Sequence, residues 1–183
     1  MLKSTLVKTA LSAAIAMVAV PFAMAQGMNT PAASALSKGD QAIVAGMAQA
    51  NMAEVAAGKM ALEKGQSAEV KTFAQQMIDD HSKALADVTT LAQAKGVTLP
   101  TEPDAKHKAM AAKLSKMTGE KFDRAYMQQA GLADHKAVHA KLKEDEAAAK
   151  DPEVKALATK MLPTVEQHLQ AAGDKAHAGH MTK

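Results

Sequence analysis

The chain of 183 residues contains no cysteine and no tryptophan, one tyrosine and three phenylalanines. The missing cysteine excludes disulfides, thiolate metal sites and a lipid on a cysteine next to a cleavage point. The shortage of aromatics argues against a base-stacking surface, so no nucleic-acid partner is expected. Long apolar runs are also lacking. The longest lies at the N-terminus and is shorter than the roughly 18–20 residues that span a bilayer. Motifs of catalysis are missing too: there is no G-x-S-x-G, no Walker loop, no H-E-x-x-H and no G-x-G-x-x-G. This points away from an enzyme of a familiar class.

What remains is rich in alanine and methionine, a composition that favours helices over strands. The first 25 residues have the layout of an export signal. Lys3 and Lys8 form a charged start, Thr9 to Val20 an apolar middle, and Ala23-Met24-Ala25 a small-residue cleavage site. A mature chain starting at Gln26 would be exported, most simply to a periplasm, with no transmembrane anchor. The basic balance of 22 against 19 then falls to 20 against 19, so the net charge offers no nucleic-acid signal.

Residues 26–36 read as a flexible leader, 37–173 as a helical bundle, and 174–183 as a flexible tail carrying His177 and His180. Four long amphipathic helices are expected in the bundle. The first starts at Ser37, bears the stripe Ile43, Met47, Ala50, Glu54, Ala57 and Ala61, and stops at Gly65 in a left-handed cap. The second follows Ser67 with Val70, Ala74, Met77, His81, Ala84, Val88 and Leu91, ending near Gly96. A connection of some twenty residues, interrupted by Pro100 and Pro103, contains a short helix between Asp104 and Met117. It is long enough to travel the height of a bundle. The third long helix starts at Thr118 and carries Phe122, Ala125, Leu132, His135, Val138, His139 and Leu142. The fourth starts at Asp151-Pro152 and carries Val154, Leu157, Met161, Val165, His168 and Ala172, with a kink expected at Pro163 and an exit at Gly173. Each assignment rests on residue spacing.

One ligand-type residue therefore falls on each long helix at nearly one level: Glu54, His81 and His135 near the middle, and His168 about a turn or two beyond the middle of its helix. Helical bundles build metal sites this way. Without a metal, the same four would have to form a buried polar network with Glu54 accepting from the histidines, because an unpaired buried polar group costs about 1–3 kcal/mol. His139, Asp80 and Asp134 are secondary candidates. The two aspartates, about 100° around the helix from their neighbouring histidines, are expected at the surface. Methionines on the stripes read as core filling.

The stretches Glu54-Val55-Ala56-Ala57-Gly58-Lys59, Val70 through His81, Phe122-Asp123-Arg124-Ala125-Tyr126-Met127, Asp134-His135 and Leu162 through Leu169 resemble an exported bacterial family, domain of unknown function 4142. The resemblance spans about residues 38–172 and implies an all-α, ferritin-like four-helix bundle in the cell envelope. It implies no reaction. The chain departs from di-iron carboxylate proteins: Ile78 and Val165 stand three residues before His81 and His168, where an E-x-x-H pair would place glutamates. A three-histidine, one-glutamate set suits a single zinc, copper or iron ion better. Two functional expectations follow. One is a bundle that binds a transition metal for storage, buffering, sensing or oxidant handling. The other is a metal-free envelope protein, active in stress or partner binding, with a buried polar network.

Overall fold

The structure is a computed structural model that describes residues 35–181, with side chains to residue 173. These lie within the unit Ala32–Lys183. The expected signal at 1–25 and most of the leader lie outside the described residues. Helix α1 spans Lys38–Lys64, α2 Ala68–Ala94, α3 Ala105–Leu114, α4 Gly119–Tyr126, α5 His135–Ala148 and α6 Pro152–Met181; a π-helical segment, Met127–Asp134, joins α4 to α5. There is no strand among the described residues. The third long helix of the bundle is therefore α4, the π segment and α5 in series.

Local chemistry sets the boundaries. Ser37 caps α1, its Oγ accepting from the Asp40 N–H. Ser67 and Asp104 cap α2 and α3 in the same manner. Gly96, at φ 67°, ends α2 in the left-handed region that a side chain would resist. Gly65 corrects the expected left-handed cap, since its backbone is extended (φ −64°, ψ 143°). Glycine is required there by proximity: a Cβ would come within 2.5 Å of the Ala61 carbonyl oxygen. Two further expectations need adjusting. Leu36, assigned to the leader, is buried in the core. The backbone of α6 continues past Gly173 to Met181, and Pro163 lies inside it without ending it.

The core is split in two. One cluster contains Ile43, Val44, Met47, Val88, Leu142, Val154 and Val165. The other contains Ala57, Phe73, Met77, Phe122, Tyr126, Met127 and Ala172. Every long helix passes from one cluster to the other, and their order along the chain fixes the topology. Helices α1 and α6 run from the aliphatic to the aromatic cluster; α2 and the α4–α5 helix run the opposite way. Consecutive helices α2 and α4–α5 are therefore parallel, and the connection between them must return along the bundle. It does so: Val97 and Leu99 pack on the aliphatic cluster, Met110, Leu114 and Met117 on the aromatic one. This is the ferritin-like arrangement with one long crossover.

Two buried carboxylates fasten the ends. Asp40 accepts from the Lys150 N–H at the aliphatic end. At the aromatic end Asp123 accepts from the N–H groups of Gln66 and Ser67. Between the two apolar clusters lies a belt of buried polar side chains: Asn51, Glu54, His81, Asp134, His135 and His168.

Candidate metal centre

Each helix contributes to the belt at the turn where its apolar stripe changes cluster. His81 of α2, His135 at the start of α5 and His168 of α6 meet there, with one ring nitrogen from each lying within 4.8 Å of the others. His81 Nε2 is 3.4 Å from His135 Nε2, and His135 Nε2 is 3.3 Å from His168 Nδ1. The rings are inclined, His81 to His135 at 71° and His135 to His168 at 76°. Phe73 and the His168 ring form a T-shaped pair with centroids 6.4 Å apart.

The outward nitrogens decide where the protons are. His135 Nδ1 lies 2.8 Å from the Ala130 carbonyl oxygen, which can only accept, so Nδ1 carries the hydrogen. His168 Nε2 lies 2.9 Å from the Asp80 carboxylate and donates to it. His81 Nδ1 lies 2.8 Å from Asn51 Oδ1. The orientation of that amide is fixed because its nitrogen donates to the Met47 carbonyl, so Oδ1 must accept. All three rings are thereby held in tautomers whose bare lone pairs face one another, with no hydrogen between them.

Burial keeps them neutral. It pushes the His81 imidazole well below its usual range, and its two histidine neighbours push the same way. For His135, burial outweighs the hydrogen bond to Ala130 and lowers the pKa to about 4. His168 is lowered by burial despite Asp80. Three neutral imidazoles with converging lone pairs repel unless a cation lies among them. Ligand nitrogens at about 2.0–2.1 Å from a tetrahedral metal are about 3.3–3.4 Å apart, which matches the two separations above. Carboxylate, backbone carbonyl and amide oxygens are also the usual partners for the outer N–H of a metal-binding histidine. The donor set fits a transition metal.

The structure thus brings together His81, His135 and His168 but sets Glu54 apart. Its Oε1 is 3.7 Å from His135 Nδ1, the nitrogen turned away from the cluster. Neither Glu54 oxygen has a hydrogen-bond partner. The network expected in the absence of metal, with Glu54 accepting from the histidines, is not formed. Burial, and then the nearby Asp134 carboxylate, raise Glu54 well above the ordinary carboxylate range. Asp80 is half-exposed and holds His168. Asp134 corrects the expectation of a surface charge. It is 2 % exposed and accepts from His107 Nε2 and Lys106 Nζ at 2.9 and 2.8 Å. Burial raises its carboxyl, but those two partners outweigh it and hold the group well below its usual range. His139 is half-buried and outside the cluster.

Sequence reasoning missed three parts. Asn51 follows Met47 by four residues and precedes Glu54 by three, so the helical stripe could have shown it. His107 lies three residues before Met110 and seven before Leu114, the apolar positions of α3, and was open to the same reading. The π-helical segment, which leaves the Ala130 carbonyl to the His135 ring, carries no sequence signal of its own. Such widened turns often occur at functional sites.

Fold and site together define an all-helical, ferritin-like bundle with a buried three-histidine centre. The chain belongs to the family described as domain of unknown function (DUF4142), which matches residues 25–174. No curated protein matches the chain. Two solved structures are similar in fold. A DUF305 fragment from Deinococcus radiodurans is 16% identical, with a TM-score of 0.70, over 79% of this chain and 99% of that one. CopM in the Cu(II)-bound form is 18% identical, with a TM-score of 0.63, over 76% of this chain and 96% of that one. No described helix is long and apolar enough to cross a membrane.

Proposed function

We propose that this protein binds one transition-metal ion through His81 Nε2, His135 Nε2 and His168 Nδ1. The observation that carries the reading is the set of outer hydrogen bonds, which turns three lone pairs toward one point and leaves no proton among them. Glu54, a ligand candidate from the sequence, is not in this first set because it faces the far side of His135. An all-imidazole donor set suits copper, zinc or iron, and the general affinity order for divalent ions favours Cu²⁺. The fold shared with a copper-bound protein, CopM, supports copper as the first ion to test. With the export-type N-terminus, the role that fits is to hold or buffer metal in the cell envelope.

The test is metal analysis of untagged protein, purified without chelator, together with calorimetric titration of Cu²⁺ and Zn²⁺ into the stripped form. One equivalent should bind to the wild type and none at this site in His135→Ala. A wild type that takes up neither ion would favour the metal-free envelope protein instead.

A further inference from the structure

A cavity of about 340 Å³ opens beside the histidine cluster, within the usual range of small-molecule sites, roughly 300–1,000 Å³. Its walls are mostly apolar and include Ile43, Met47, Val138, Leu142 and Met161. His81 and His135 line it, and so does Glu54. The charged residues along it are already matched. Lys106 and His107 are paired to Asp134, and Lys141 to Asp145. The remaining aspartate, Asp104, lies 2.9 Å from His107 Nδ1. No unmatched charge is left to select an ion.

Glu54 differs from these. It is 2 % exposed and both its carboxyl oxygens lack a hydrogen-bond partner. A buried acceptor without a donor is destabilising, so a site that keeps one next to an open cavity is complementary to a molecule that brings a donor. Raised by burial and by Asp134, the Glu54 carboxyl holds a hydrogen on one oxygen and leaves the other to accept, so the visiting group must offer that oxygen an N–H or O–H. The apolar walls disfavour a full charge at that depth.

We propose that this cavity binds a small neutral molecule with an apolar body and an amide- or hydroxyl-type head that donates to Glu54. The occupant would lie against His81 and His135, which line the cavity. Binding at Glu54 does not require a metal, so it is tested on the stripped protein and stands or falls separately from the metal reading.

The experiment titrates hexanamide into metal-stripped, isotope-labelled full-length chain, followed by NMR. Hexanoate, hexylammonium and N,N-dimethylhexanamide, which lacks a donor, serve as comparisons. Saturable shifts at Ala50, Ala137 and Val138 are expected with hexanamide, and binding weaker by roughly tenfold with the dimethyl compound. Glu54→Leu should abolish the preference for the donor-bearing amide. Ala50→Leu, which fills the cavity from its wall, should abolish binding while leaving Glu54 in place. Both variants are checked for the helical spectrum of the wild type, and either alone suffices. The proposal is overturned if hexanamide gives no saturable shifts, if either ionic compound binds at least as well, or if the folded variants bind like the wild type.

Discussion

Four histidines are buried among the described residues, and they fall into two kinds. His81, His135 and His168 are 5 %, 1 % and 0 % exposed, and His107 is 7 % exposed, so burial alone does not separate them. Their partners do. Two of the first three donate to neutral oxygens, Asn51 and Ala130, and the third to the half-exposed Asp80. Burial then wins, and all three are held neutral. His107 has Asp134, itself 2 % exposed, on Nε2 and Asp104 near Nδ1. The hydrogen bond to Asp134 outweighs burial and raises its pKa. One residue type at similar depth thus supplies three lone pairs to a common point in one place and, in the other, a ring whose charged form is favoured by a buried carboxylate. The lesson is that the acceptor on the outer nitrogen, more than depth, decides whether a core histidine can ligate.

The largest expected effect comes from acid. In the metal-free protein the cluster binds fewer protons folded than unfolded, so its contribution to stability is complete above about pH 6.5 and is lost as pH falls. For His135, lowered to about 4, the loss over that window is roughly 3 kcal/mol. Urea denaturation between pH 7 and pH 4.5 should show it, and His135→Leu should flatten the wild-type slope. Equal slopes in the two proteins would remove the basis for calling the cluster neutral.

Metal should offset the repulsion in the cluster. At a free Cu²⁺ or Zn²⁺ concentration of about 100 times the dissociation constant, binding contributes about 2.7 kcal/mol. For a domain of this size the midpoint then rises by roughly 5–11 °C. Scanning calorimetry should find that His81→Ala abolishes the rise and that His107→Gln retains it. A rise lost equally in both variants would erase the distinction between the two kinds of histidine.

Much of this arrangement was legible from spacing, because helical stripes and caps are local. Ser37, Ser67 and Asp151-Pro152 mark their helix starts, and the crossover was implied by the length of chain between Gly96 and Thr118. The three histidines were legible for the same reason: each interrupts an apolar stripe near mid-helix. Glu54 interrupts its own stripe in the same way, yet it lies behind His135. Spacing gives a residue's face and height but not which side of a neighbouring ring it will meet. The outer partners were hidden for a related reason. Asp80 reaches from α2 to α6, and Asp134 toward α3, contacts set by packing between helices. Ala130 contributes a main-chain oxygen that no side-chain pattern announces.

Asp80 offers a smaller test of the outer partner's role. Asp80→Asn keeps an acceptor for His168 Nε2–H but removes the charge. Changes of this kind beside a metal ligand weaken binding by about 10–100-fold; here the lower end, roughly tenfold, is expected because Asp80 is half-exposed. Competition against a chelator of known affinity measures it. An unchanged affinity would mean that orientation alone, without charge, governs His168.

The smallest effect belongs to His107, and its sign is opposite to that of the cluster. Its folded pKa is raised, first by the hydrogen bond to Asp134 and against the opposing effect of burial. A raised histidine binds more protons folded than unfolded. Its contribution is therefore complete below about pH 6.5 and is lost as pH rises through the folded value. Metal-free wild type should accordingly gain stability from pH 4.5 to about 6.5, as the cluster recovers, and lose a little above it. His107→Gln keeps a donor for Asp134 but cannot titrate, so the variant should lack the decline above neutrality and retain the rise below it. Urea midpoints of both proteins between pH 6 and pH 9 measure the difference. If the variant declines as the wild type does, His107 is not the cation facing Asp134, and Lys106, which also donates to that carboxylate, is its main counter-charge.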